Sequence, residues 1–284
     1  MRQPIHRLPS FYSGAIVPWD CVRNSWEVVK PDKLRFIGGI FVLFLLLSCL
    51  PCFGYLLFGP VMAGIYFVFL LRMENKSFFF NDFFKGFEQF WPTVGVGLIQ
   101  LIPDVIYAIL YFAFNSALEP RGSRNIRLEE FLFAFGFIFL VYFILSITFK
   151  VLLIFALPLV VERRLGVLEA IKLSIKAALR NLGGIIVLII LQILISIPAV
   201  LPIFIIWAFV LVIALIPFLG VFLSIFGIIC LIAYIVIAFP LLGAVVLGSN
   251  VFAYRQVFPK LDSDDIFHSP PPPTAYGSEY GTAM

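Results

Sequence analysis

Asp104 and Lys150 are the residues best placed to do chemistry, because both lie inside long apolar runs. A charge in such a run is expensive and normally faces a bundle interior or a wet cavity. The two could form an ion pair that fixes helix register, or act in transport or a proton relay. Lys150 could instead reach towards lipid headgroups. Cys49 and Cys52, spaced Cys-x-Pro-Cys, could form a disulfide or cycle between thiol and disulfide on an oxidising side of a membrane. A proline turn accounts for the same spacing, and no βαβ pattern of a thioredoxin-like unit surrounds it. A third group is basic. Arg163, Arg164, Lys172, Lys176 and Arg180 cluster on and before an amphipathic stretch, where anionic lipid headgroups are the natural partner.

The residue types that are missing narrow the chemistry further. His6 and His268 stand alone near the two ends, which supports neither a metal site nor a histidine-based hydrolase. No loop pairs a base with a nucleophile. The expectation is therefore no enzyme, no cofactor and no metal. Nucleic acid is excluded as a partner because the basic stripe belongs to a helix that must lie on a membrane.

The elements that position these residues follow from composition. Of 284 residues 62% are hydrophobic and 13% charged, against about half and a quarter in a soluble domain. No soluble core could absorb that excess, so the bilayer is the solvent. The first 33 residues lack the short apolar region and small-residue cleavage site of a secretory signal. About 20 residues cross a hydrocarbon core of roughly 30 Å. On that scale the run 36–71 is two spans broken at Ser48-Cys49-Leu50-Pro51-Cys52-Phe53-Gly54. Further spans are expected over 91–114, 131–161, 183–213 and 219–249. Pro198, Pro202 and Pro217 leave room for a broken or re-entrant piece over 198–220. Six spans place sixteen Lys and Arg on one side and three on the other. Both ends are then cytoplasmic, because basic residues concentrate on that side. Counted along their spans, Asp104 and Lys150 lie at similar depth, roughly 16–20 Å from the cytoplasmic face. Spans three and four are sequential and antiparallel, so an Asp104–Lys150 pair is predicted.

Internal repetition is visible. Leu34-Arg35-Phe36-Ile37-Gly38-Gly39-Ile40 matches Leu179-Arg180-Asn181-Leu182-Gly183-Gly184-Ile185, and an amphipathic stretch precedes each. In 168–182, Leu168, Ile171, Ile175, Leu179 and Leu182 oppose Glu169, Lys172, Lys176 and Arg180. Val22, Trp26 and Val29 oppose Arg23, Glu27 and Lys30. Before the third span, Phe80, Phe83, Phe84, Phe87 and Trp91 oppose Asp82, Lys85 and Glu88. Three parallel units of interfacial helix plus transmembrane hairpin are expected, over 20–73, 80–161 and 167–252. Gly59/Ala63, Gly95/Gly97, Gly243 and Gly248 suit close helix packing. The chain divides into a cytoplasmic segment 1–19, a transmembrane domain 20–258 and a Pro-rich tail 259–284. The tail is too polar to pack and is expected to be disordered.

The segments Gly59-Pro60-Val61-Met62-Ala63-Gly64-Ile65-Tyr66 and Phe79 to Phe87 resemble an uncharacterised group of prokaryotic multi-pass membrane proteins. That group is similar to the membrane domain attached to some glycerophosphodiester phosphodiesterases. Phe155-Ala156-Leu157-Pro158-Leu159-Val160-Val161-Glu162-Arg163-Arg164 and Glu169-Ala170-Ile171-Lys172-Leu173-Ser174 look like the same group. The resemblance covers roughly 20–258. It implies a six-helix inner-membrane protein of bacterial type and no particular activity, since the phosphodiesterase catalytic domain is absent. Function is expected to be that of a scaffold or accessory subunit acting through a protein partner, a second copy or membrane lipids. The alternative is a transporter or lipid-handling protein built on Asp104 and Lys150.

Overall fold

A computed structural model describes residues 11–49, 51–118, 128–213 and 219–259. Among the described residues the chain is helical and contains no strand. In order it forms α1 (Pro18–Val29), α2 (Lys33–Cys49), α3 (Pro51–Met73), a 3-10 segment (Phe80–Gln89), α4 (Phe90–Gln100) and α5 (Ile102–Leu118). It continues with α6 (Leu128–Leu152), α7 (Ala156–Arg163), α8 (Val167–Arg180), α9 (Leu182–Ile213) and α10 (Leu219–Val257). Four stretches are long and apolar enough to cross a membrane: Phe53–Met73, Phe135–Arg163, Leu182–Val212 and Gly220–Val257. The bent pair α4–α5 makes a fifth. The chain is a helical membrane protein with four to five such stretches, and α2, with 17 residues, falls just short in length.

Helix α9 runs through Pro198 and Pro202 without interruption to Ile213, so of the two possibilities left open for 198–220 the unbroken one holds within 198–213. Residues 214–218, the Cys49 and Cys52 side chains, and the tail from residue 260 lie outside the described residues.

The short helices sort their residues into three faces. In α8, Ala170, Leu173, Ser174, Ala177 and Ala178 are buried against the protein, while Leu168 and Leu179, and Leu182 at the start of α9, are exposed. At about 100° per residue, Lys172, Lys176 and Arg180 form a third face between those two. The sequence sets the large aliphatic stripe against the charged one and marks no third, protein-facing side. The small residues occupy the protein interface instead, because they allow close backbone approach, and the leucines are left for the lipid. Helix α1 repeats this arrangement, with Cys21, Ser25 and Val29 inward and Trp19 and Trp26 outward.

The segment before α4 is a 3-10 helix over ten residues, and its sequence shows why. With three residues per turn, Asp82, Lys85 and Glu88 stack on one face, and Phe83 and Gly86 on the buried one. The Asp82 carboxylate accepts the Phe79 N–H at 2.7 Å and closes the first turn. Glycine lets this segment lie on α3 with backbones touching. A Cβ on Gly64 would strike the Phe83 carbonyl oxygen, and one on Gly86 would strike the Pro60 oxygen. Gly59 likewise lies against the Thr93 carbonyl and Gly97.

Burial is lopsided along the bundle. The packed end gathers Phe36, Phe69, Phe78 and Phe83 in one ring cluster and Phe155, Tyr254 and Phe258 in another. At the other end α5, the first half of α6 and the facing halves of α9 and α10 expose Phe112, Phe133, Phe204, Phe222 and Phe226, as lipid-facing surface does. At the packed end the N-terminal segment is fastened to the rest. Tyr12 N–H donates to the Val257 carbonyl at 2.9 Å, and Asn181 Nδ2 donates to the Tyr12 carbonyl at 3.0 Å.

Candidate functional site

Proline and serine create the irregular backbone around which the site forms. Pro103 has no N–H to continue a helix and suits the first turn of a new one, so α4 ends at Gln100 and α5 begins after Leu101 with a 46° bend. A second break, over 153–155, separates α6 from α7. Its loose ends find partners. Ser174 Oγ donates to the Leu152 carbonyl at 2.8 Å and accepts the Phe155 N–H at 3.2 Å. Gln100 Nε2 donates to the Leu153 carbonyl at 3.2 Å.

Beside that break a cavity of about 220 Å³ opens between α3, α4, α6, α7 and α10. Its polar groups are Tyr66, Gln100, Ser146, Lys150 and Asn250, and its apolar wall includes Phe58, Met62, Leu157 and Leu247. Tyr66 and Asn250 form a buried floor and share a hydrogen bond, while Lys150 stands at the exposed rim. The floor is held from behind. Gln192 Nε2 donates to Asn250 Oδ1 and Ser249 Oγ, each at 2.8 Å, which locks α9 to α10.

The predicted Asp104–Lys150 pair does not form. The bend at Leu101 places Asp104 in the first turn of α5, where the helix dipole favours a negative charge. Its carboxylate there accepts the Tyr142 hydroxyl at 3.0 Å. Asp104 lines a different hollow, of about 500 Å³, with Tyr55, Ala108 and Phe112. A helix drawn straight through Pro103 puts the two charges at one depth. The bent one turns them into separate cavities.

The basic cluster also divides. Arg163 is drawn into the protein, donating to the Pro259 carbonyl at 2.8 Å and lying 5.3 Å over the Phe258 ring. Arg180 stacks over Phe11 at 5.7 Å with its side chain still exposed. Arg164, Lys172 and Lys176 remain exposed, as headgroup contact requires.

Sequence reading missed a charge network that ties the packed ends of three helices. Arg255 of α10 pairs with Glu162 of α7 and lies 3.9 Å from Glu74, just beyond α3. The Tyr254 hydroxyl donates to Glu162 at 2.5 Å. Arg72 and Asp32 make a parallel link between the end of α3 and the segment before α2, at 2.5 Å. The available signal was positional: Arg72, Glu162 and Arg255 each stand where an even-numbered expected span ends.

A third hollow, of about 590 Å³, runs between α1 and the pair α9–α10, with Trp19, Arg23 and Trp26 along its edge. No group of three or more potential metal ligands occurs among the described residues. Set against family models, curated proteins and solved structures, the chain has no match in any of the three.

Proposed function

We propose that the chain is a six-span, non-enzymatic membrane protein that handles amphiphilic molecules of the bilayer, holding or moving them at the Lys150 cavity. The observation that carries this reading is the cavity itself: five polar side chains, one of them charged, gathered within the apolar helices and open at the rim. Buried polar groups inside a membrane are costly, and they mark ligand or ion pathways by default.

The sixth span in this reading is α2. Its 17 residues reach roughly 25 Å, the short end of the spanning range. Three units of interfacial helix plus hairpin then follow one another over 20–73, 80–161 and 167–252. The Lys and Arg asymmetry puts both ends in the cytoplasm. The likeness to bacterial-type membrane domains suggests a prokaryotic inner membrane. Reconstitution of the full chain into liposomes carrying a fluorescent phospholipid, quenched from outside with dithionite, tests the handling role. Quenching beyond the outer leaflet at a rate that scales with protein per vesicle supports lipid movement. Quenching that halts at half, with no lipid retained by the purified protein, refutes the reading.

A second reading, accessory subunit for a protein partner or a second copy, is favoured by the outer halves of α9 and α10. There Phe204, Trp207, Phe222 and Phe226 are exposed together. Crosslinking in native membranes that captures one stoichiometric partner through these residues would establish it.

A further inference from the structure

We infer that the Lys150 cavity is an oxyanion site that receives the phosphate or carboxylate head of a membrane amphiphile. This assignment rests on the lipid-handling reading above and names the chemistry it selects. Among the described residues Lys150 forms no ion pair, and the two carboxylates expected or observed at this part of the bundle are engaged elsewhere. Asp104 holds Tyr142, and Glu162 holds Arg255 and Tyr254. An ammonium inside apolar helices is unfavourable unless something compensates it, and no carboxylate lines its cavity.

The other polar groups complete a donor set. Ser146, one helical turn from Lys150 on α6, borders the cavity but spends its hydroxyl proton on the Tyr142 oxygen. Gln100 uses its amide towards Leu153 and keeps a second N–H. The Tyr66 hydroxyl stands on the floor beside Asn250. A set rich in donors, with one cation at its rim and no acid, selects an anion over a metal ion or an amine. The volume of about 220 Å³ is below the roughly 300–1,000 Å³ of a cleft that encloses a whole ligand. A headgroup fits, with its chains left outside the cavity.

The test is native mass spectrometry of the full-length protein after equilibration in micelles holding equal phosphatidylglycerol and phosphatidylcholine. A parallel arm measures thermal stabilisation by inorganic phosphate alone. Wild type should retain phosphatidylglycerol in preference, and Lys150→Met should lower that preference roughly tenfold, the worth of one charge-assisted hydrogen bond. Lys150→Arg should restore it. Tyr66→Phe should lower it by a smaller factor, and it serves as the second variant if Lys150→Met does not fold. Any preference due to Arg164, Lys172 and Lys176 persists in Lys150→Met, so the difference between the two proteins is the readout.

Equal retention of both lipids by wild type, or an unchanged preference in Lys150→Met, overturns the oxyanion site and leaves lipid handling standing. Retention of neither lipid, with phosphate stabilising wild type but not Lys150→Met, keeps the anion site and overturns lipid handling. Neither lipid retained and no effect of phosphate overturns both.

Discussion

Replacing Arg255 by methionine should destabilise the packed end of the bundle by about 3 kcal/mol. The Arg255 and Glu162 side chains are 13% and 14% exposed, close to the buried regime, where removing one partner of an ion pair costs about 3–5 kcal/mol. The lower end applies because Glu162 keeps the Tyr254 hydroxyl, and a hydrogen bond to a charged group contributes about 1.5 kcal/mol or more. The Glu74 contact, at 3.9 Å and 25% exposed, adds little. For a chain of this size the loss corresponds to a fall of about 6–9 °C in melting temperature, measurable by fluorescence-detected unfolding in detergent. The double variant Glu162→Gln/Arg255→Met removes both charges and should recover at least half of the loss, since the larger part of it is an orphaned carboxylate. An Arg255→Met melting point within 2 °C of wild type, or a double variant no better than the single, would refute the network as a structural tie.

Three further outcomes follow from the same structure. Gly64→Ala should cost about 1–3 kcal/mol, because the added methyl meets the Phe83 carbonyl and neither backbone can yield, whereas Gly38→Ala, which meets nothing, should be neutral or stabilising. Melting temperatures of the two variants in one detergent check the contrast. Burial, with the neighbouring Asp20 carboxylate, pushes the Cys21 thiol up from 9.0 to about 12. Native and unfolded chains both keep the proton below pH 9. Above it only the unfolded chain loses the proton, so Cys21 should remove about 1.4 kcal/mol of stability per pH unit between pH 9 and 12. Alkaline titration of wild type against Cys21→Ala, which lacks this slope, measures it. Asp104→Asn should shift the melting temperature no more than Tyr142→Phe does, and the swap Asp104→Lys/Lys150→Asp should fail to recover wild-type stability. Recovery by the swap would show that the two charges meet.

Much of the site was legible in single residues and little of it in their relations. Lys150, Gln100 and Gln192 announce themselves as polar groups in apolar runs, and each does make or line a polar feature. Their partners could not be read, because partnership depends on rotation and bend. Pro103 fixed the matter for Asp104 by lying in the first turn of a new helix that starts two residues before it, and periodicity extended through a proline erases that rotation. The three-residue spacing of Asp82, Lys85 and Glu88 was visible, yet it fits an α-helical face almost as well as a 3-10 one. Contact with Gly64 and with Pro60 of α3 selects the tighter winding. The α8 stripe was legible as an apolar face, but which of its residues meet the protein was not, for a related reason. Large aliphatic residues point inward in water, whereas beside lipid the small residues turn inward.

The sequence alone determined the solvent, the helical class, the position of most apolar stretches and which residues carry charge into them, because these depend on composition and local period. The tertiary structure decided which charges meet. Tyr142 rather than Lys150 reaches Asp104, Arg255 reaches Glu162, and Lys150 is left at the rim of a cavity lined from five helices. Those outcomes depend on two helix breaks and on glycine contacts that bring backbones together. They are set by distances between residues far apart in the chain, which no local pattern encodes.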